Sequence, residues 1–182
     1  AWDKAFDLYP PTEGYFIGVD DNSWSRLVVR RISNPGGTPT ISGNLNITTP
    51  VTVNAQSTPC LGSTTNLSAL DDRLFAAQIH RNRITGSRTL WTAHNIEVNS
   101  SGVGNTSGNR NGSRWYEIQN LSTTPALRQS GTLFSNASSN PDNYWIPSVA
   151  MSGQGHMALG ASAAGAARRA ELAVAGRLNS DT

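Results

Sequence analysis

Apolar residues along this chain fall in short runs, and few of them recur at helical spacing. The runs are "GYFIGVD" from Gly14, "RLVVRRI" from Arg26, "RLFAAQI" from Arg73, "TLWTAHNI" from Thr89, "RWYEIQ" from Arg114, "YWIPSVAM" from Tyr144 and "HMALGAS" from His156. Each has the length of an ordinary strand and is bounded by Gly, Asn, Pro or Ser clusters, so the pattern predicts an all-β chain. One stretch competes. "ASAAGAARRAELAVAGRL", Ala161 to Leu178, is rich in good helix formers, but Gly165 and Gly176 interrupt it, and "AELAVAGR" reads better as a strand.

An internal echo extends the pattern. "SRLVVRRISNPGGTPTISG", from Ser25, and "SRWYEIQNLSTTPALRQSG", from Ser113, both run Ser-Arg, strand, Asn-containing turn, Thr-Pro, strand, Ser-Gly, with a spacing difference expected in the loop. Pro39 and Pro125 suit the entry of an edge strand, where a missing N–H costs least. Repeats of short antiparallel strands that cannot bury their faces singly imply radial or stacked repetition. The expected architecture is therefore antiparallel four-stranded blades of a β-propeller in one segment spanning 1–182, with blades at about 5–48, 71–133 and 144–177. Three blades do not close a propeller, which typically has at least four.

Composition agrees and removes several function classes. Of 182 residues only 14% are charged, and Ser, Thr, Asn and Gly take their place. The net charge is +2, with no basic run or aromatic-basic interleaving, so no nucleic-acid partner is expected. No apolar run has the length of a membrane span. The first residues, "AWDKAFDLYP", lack Met and read as a processed form or an excerpt. Cys60 is the single cysteine and is expected to be a small semi-buried residue.

The motifs "GSRWYEIQN", "TPALRQSGT", "YWIPSVAMSGQGHMALGAS" and "AVAGRLNSDT", together with "LDDRLFAAQIHRN" from Leu70, resemble in that order a family of large secreted bacterial proteins of unassigned activity with a predicted β-propeller region. The shared residues are blade framework. The resemblance implies a secreted or cell-surface location and further blades after Thr182; it implies no activity.

Candidate chemistry is sparse. Asp20 with Asp21, and Asp71 with Asp72, are adjacent pairs whose side chains point to opposite faces of a strand, so neither is a ready-made glycosidase dyad. The sialidase-type Ser-x-Asp-x-Gly-x-Thr-Trp repeat, the Gly-x-Ser-x-Gly elbow and the Walker phosphate loop are absent. His80, His94 and His156 are scattered, although His80 and His94 could face each other across a hairpin. "DDNSWS", Asp20 to Ser25, offers oxygen ligands that could hold calcium, but it lacks the Gly and closing Glu of an EF-hand loop and reads better as a polar hairpin turn. "SGQGH", Ser152 to His156, likewise reads as a hairpin turn, with Gly153 and Gly155 at positive φ. Asn-x-Ser/Thr triplets begin at Asn46, Asn66, Asn99, Asn105, Asn111, Asn120 and Asn136.

Of the tryptophans Trp2, Trp24, Trp91, Trp115 and Trp145, most are expected to pack between blades, and Trp24, in a polar turn, is the exception. The long polar stretch Asn99 to Ser113 is the candidate binding loop. The expected ligand-binding residues are thus Trp24, Asn99, Asn105 and Asn109, with no catalytic or metal-binding residue and a protein or glycan as partner. The favoured function is a non-catalytic scaffold or recognition surface. Two other readings stand beside it: a glycan or peptide hydrolase with acids such as Asp7, Asp20 and Asp72 at a channel mouth, and a subunit that self-assembles into a ring or filament because its sheet edges are open.

Overall fold

A computed structural model describes residues 12–181, and every regular element in it is a strand. The chain runs β1 (Glu13–Val19), β2 (Arg26–Ser33), β3 (Thr40–Ile41), β4 (Leu45–Thr48), β5 (Ala76–Arg81), β6 (Arg88–Val98), β7 (Arg110–Gln119), β8 (Ala126–Leu133), β9 (Asn143–Met151), β10 (Met157–Gly165) and β11 (Arg168–Arg177). The stretch that competed as a helix forms the end of β10 and all of β11, paired antiparallel through Ala161 opposite Ala173 and Leu159 opposite Ala175. The proposed start of the first blade at Ala5, and with it Trp2 and Asp7, lies outside the described residues.

Three antiparallel sheets form. β1 pairs with β2, whose other edge carries β3 and then β4; β5-β6-β7-β8 make a four-stranded meander; β9-β10-β11 make a three-stranded one. The third sheet is thus one strand short of the four-stranded unit expected of each blade. Alternation decides how the sheets stack. Leu90, Tyr116 and Ile118 of the second sheet pack on Leu27, Val29 and Ile47 of the first, while Trp91, Ala93 and Trp115 on its opposite face pack on Val149, Met157, Leu159 and Ala161 of the third. The second sheet is therefore covered on both faces, which is why β6 and β7 are buried almost throughout. Trp91 and Trp115 stack with centroids 5.6 Å apart, a contact worth about 1 kcal/mol beyond its buried area.

The sequence echo has a structural counterpart. Asn34 and Asn120 both take left-handed conformations (φ 52° and 57°), and each closes its turn through its carbonyl, to Gly37 N at 3.1 Å and to Thr123 N at 3.0 Å. Asn tolerates this region better than most non-glycine residues. The register slips by one residue at the same place in both copies: Ile32 faces Ile41 but Val29 faces Leu45, and Ile118 faces Leu127 but Glu117 faces Gln129. β3 and β4 together are thus the equivalent of β8, bent by the same bulge. The turns have equal spacing from Asn to Pro, so the length difference lies in the preceding strand and not, as expected, in the loop.

A long connection from Thr49 to Phe75 holds no strand and crosses the ends of the second and third sheets. Two buried amides, Asn111 and Asn95, hold it there, and a third, Asn143, braces the backbone of Asn111. Asn111 donates Nδ2 to Gln56 O (2.6 Å) and Thr58 Oγ1 (3.0 Å) and accepts from Gln56 N (2.9 Å). Asn95 donates to the carbonyls of Ala69 and Asp71, both at 3.0 Å, and accepts from Ile146 N at 2.9 Å, while Asn143 accepts from Asn111 N at 2.8 Å. A strandless segment on a sheet end needs such partners for its backbone.

Candidate recognition surface

The turn Asp20–Ser25, the segment 49–52 and the loop 99–109 come together at one end of the stack. Asp20 N donates to Arg26 O (3.0 Å) to close the first hairpin, and the Asp20 carboxylate accepts from Asn22 N (2.9 Å) and from the Arg26 guanidinium. Those bonds hold its carboxyl below the usual range, the Asn22 amide contributing most. The oxygen-rich stretch is a polar hairpin turn with Asp20 tied to its own loop.

Ser25, at φ 60°, joins this turn to the next segment by a reciprocal pair: Ser25 N donates to Thr52 Oγ1 (2.8 Å) and Thr52 N to Ser25 Oγ (3.2 Å), with Thr49 N on Ser25 O (2.9 Å). The 99–109 loop then lies against that segment so closely that a Cβ on Gly104 would sit 2.2 Å from Val51 O. Trp24, Val51 and Val103, one on each of these three pieces, are all about half exposed, Trp24 at 54%.

The asparagines singled out from sequence shape this end. Asn99 Oδ1 accepts from Ser101 N (2.9 Å) and Val103 N (3.1 Å); Asn105 Oδ1 accepts from Ser107 N (2.7 Å); Asn109 Oδ1 accepts from Arg110 Nε (2.9 Å). Their carbonyl oxygens are engaged within the loop, which leaves the amide nitrogens as donors toward a ligand. The loop is shorter than expected. Asn111 to Ser113 pair with Glu97 to Asn95 in β7 and are buried, because Val98 continues β6 as far as Arg110. Asn111, fully buried, cannot be a glycan acceptor in the folded chain.

Beneath this end lies a polar cluster that sequence reasoning missed. His94 and Tyr116 are fully buried, and His94 Nδ1 contacts the carbonyl of Asp72. A carbonyl only accepts, so Nδ1 carries the proton, Nε2 is the acceptor, and Tyr116 donates its hydroxyl to Nε2 over 2.9 Å. Burial pulls His94 down to about 4 and pushes the Tyr116 phenol up to about 12, so both are neutral. Arg114, buried beside them, donates Nε to Thr132 Oγ1. The histidine pair considered from sequence does not form: His80 faces Thr89, whereas His94 faces Arg114 on the other side of β6, because residue 76 opposes residue 93.

The remaining candidates are framework. Ser152 N donates to His156 O (2.9 Å), closing "SGQGH" as a hairpin turn, but only Gly155 has positive φ (87°), and Gly153 does not. The turn is docked on its neighbour through Arg83 N to Gly153 O (2.8 Å) and Asn82 Nδ2 to Gln154 O (3.2 Å). His156 Nδ1 accepts from Asn179 N at 3.0 Å.

Acids pair with arginines along the stack: Asp20 with Arg26, Asp71 with Arg73, Glu117 with Arg128, and Asp142 and Glu171 with Arg168. Hydrogen bonds from Arg73 hold Asp71 down at about 2. Asp72 differs: burial raises its carboxyl, and the charges of Asp71 and Asp21 push the same way. Among the described residues no group of three or more His, Cys, Asp or Glu side chains converges as a metal site.

No family model, no curated protein and no solved structure matches the chain.

Proposed function

We propose that the chain is a segment of a β-propeller and acts as a non-catalytic recognition surface and scaffold in a secreted or cell-surface bacterial protein. The propeller reading draws on the three stacked antiparallel sheets, on the repeated strand, turn and bulged strand, and on the motif resemblance. The observation that carries the recognition reading is the meeting of three loops at one end, one of which presents a half-exposed Trp24 and another the asparagines Asn99, Asn105 and Asn109. An exposed indole and neutral amide donors on adjoining loops suit the apolar face and hydroxyls of a neutral glycan.

Titration of tryptophan fluorescence with cellohexaose, xylohexaose and chitohexaose tests this reading. Saturable quenching by one of them, lost in Trp24→Ala, is expected; no response to any of the three overturns the glycan assignment of this surface.

A hydrolase is the second reading, favoured by Asp72, an acid whose carboxyl is raised by burial, as that of Glu97 also is. Turnover of p-nitrophenyl glycosides or casein that disappears in Asp72→Asn would replace the scaffold reading with this one.

A further inference from the structure

Arg110 and Arg114 lie four residues apart on one face of β7, and both are buried, with 2% and 4% of their surface exposed. A guanidinium keeps its charge when buried, so each needs acceptors around it. Arg110 has them. Its Nη1 donates to Ser135 O (2.5 Å) and Ala137 O (2.8 Å), and its Nε donates to Asn109 Oδ1 (2.9 Å).

Arg114 is met less well. Nε donates to Thr132 Oγ1 at 2.5 Å and Nη2 reaches Gly102 O at 3.3 Å, but Nη1, closed off from solvent, has no hydrogen-bond partner. Among the described residues no carboxylate pairs with Arg114, whereas Arg26, Arg73, Arg128 and Arg168 each have one. Burial works against its charge, and the Tyr116 oxygen beside the guanidinium offsets only part of that. Tyr116 and its partner His94 are both neutral, so neither balances the charge.

An unmet donor on a buried, unbalanced cation selects an anion. A water would satisfy Nη1 but leave the charge as it is. We infer that Arg114 holds one small anion of the halide class at Nη1, beneath the loops that carry Thr49 and Gly102. Thr49 is itself buried and its hydroxyl lies beside the Tyr116 phenol, where it can serve as a second donor. Because Nη1 is closed off, the ion is monatomic and not a carboxylate carried by a larger ligand. The same guanidinium holds the Gly102 carbonyl through Nη2, so the ion fixes the group that braces the candidate recognition loop from below.

Thermal unfolding of the whole chain, with chloride replacing gluconate at equal ionic strength, tests the site. An ion that binds only the folded chain raises the midpoint, increasingly so as its concentration exceeds Kd. The wild-type midpoint is expected to rise on the replacement. In Arg114→Met, which keeps an unbranched side chain and removes the charge, the rise is expected to vanish; general salt effects act on both proteins alike, so the difference between them reads the site. The chloride NMR linewidth of the wild-type solution supplies a measurement that does not depend on the variant folding: the protein is expected to broaden the line, and bromide to narrow it again by competition. A midpoint that responds equally in wild type and in folded Arg114→Met overturns the inference. A chloride line that the wild-type chain does not broaden, or that bromide does not narrow, also overturns it and leaves Nη1 to a buried water.

Discussion

Tyr116 of β7 and His94 of β6 form a hydrogen bond of 2.9 Å on the face that the second sheet turns toward the first, with neither side chain exposed, and the histidine must be neutral to accept it. Their positions follow from β7 pairing with β6, which puts Tyr116 opposite Thr92 and Arg114 opposite His94 on one face.

This pair gives the fold an acid limit. His94 is lowered to about 4 in the folded chain, chiefly by burial, against 6.5 when unfolded. Below pH 6.5 the unfolded chain takes up a proton that the folded chain refuses, so stability present above 6.5 is lost as the pH falls toward 4 and the loss then levels off. At 1.36 kcal/mol per pKa unit the loss is about 3 kcal/mol. Urea unfolding across that range measures it, and in His94→Gln the slope is expected to fall by about one proton.

Removing the donor has a separate effect. Tyr116→Phe leaves Nε2 of His94 buried and unpaired at pH 7, at a cost of about 1–3 kcal/mol, readable as a lower urea midpoint with an unchanged m-value.

Asn111 is expected to be the most sensitive of the loop-facing amides. It makes three hydrogen bonds to Gln56 and Thr58 from a fully buried position, so Asn111→Ala should cost about 2–4 kcal/mol, a few unmet buried bonds. Hydrogen exchange is expected to accelerate first in residues 53–60, with the β6–β7 ladder protected until global unfolding.

At Gly104 the obstacle to a side chain is backbone. Gly104→Ala would put its Cβ against Val51 O, and because a carbonyl of a tied segment cannot rotate away, the substitution is expected to cost about 1–3 kcal/mol. Loss of glycan-induced quenching in this variant, with Trp24 intact, would show that the three loops act as one surface.

The left-handed turn residue separates conformation from contact. Asn120→Gly is expected to change stability little, whereas Asn120→Val should cost about 1–2 kcal/mol, because a β-branched residue resists φ 57°. Parallel results at Asn34 would establish that the two turns are equivalent in energy as well as in shape.

Much of the local order was legible in the chain, because strand period, turn chemistry and proline placement act over a few residues. The alternating runs placed most strands, "SGQGH" identified a hairpin, and the echo from Ser25 and Ser113 located two equivalent Asn-containing turns, whose left-handed conformation the structure added. Trp24 stood out because an indole in a polar turn has no local reason to be buried. Tertiary structure decided the rest. Asn95 and Asn111 look in sequence like the other asparagines of a polar chain, and only a strandless segment arriving from residues 53–71 makes them a buried clamp. His94 drew its tautomer from a carbonyl and a phenol that are both 22 residues away in sequence. The outward face of β11 reads as an unremarkable run of Ala, Leu and Val, and only the pairing with β10 reveals that Glu171 and Arg177 share its inward face. Periodicity specifies which residues share a face; which face meets a neighbour depends on how sheets stack, and that is a property of the whole chain.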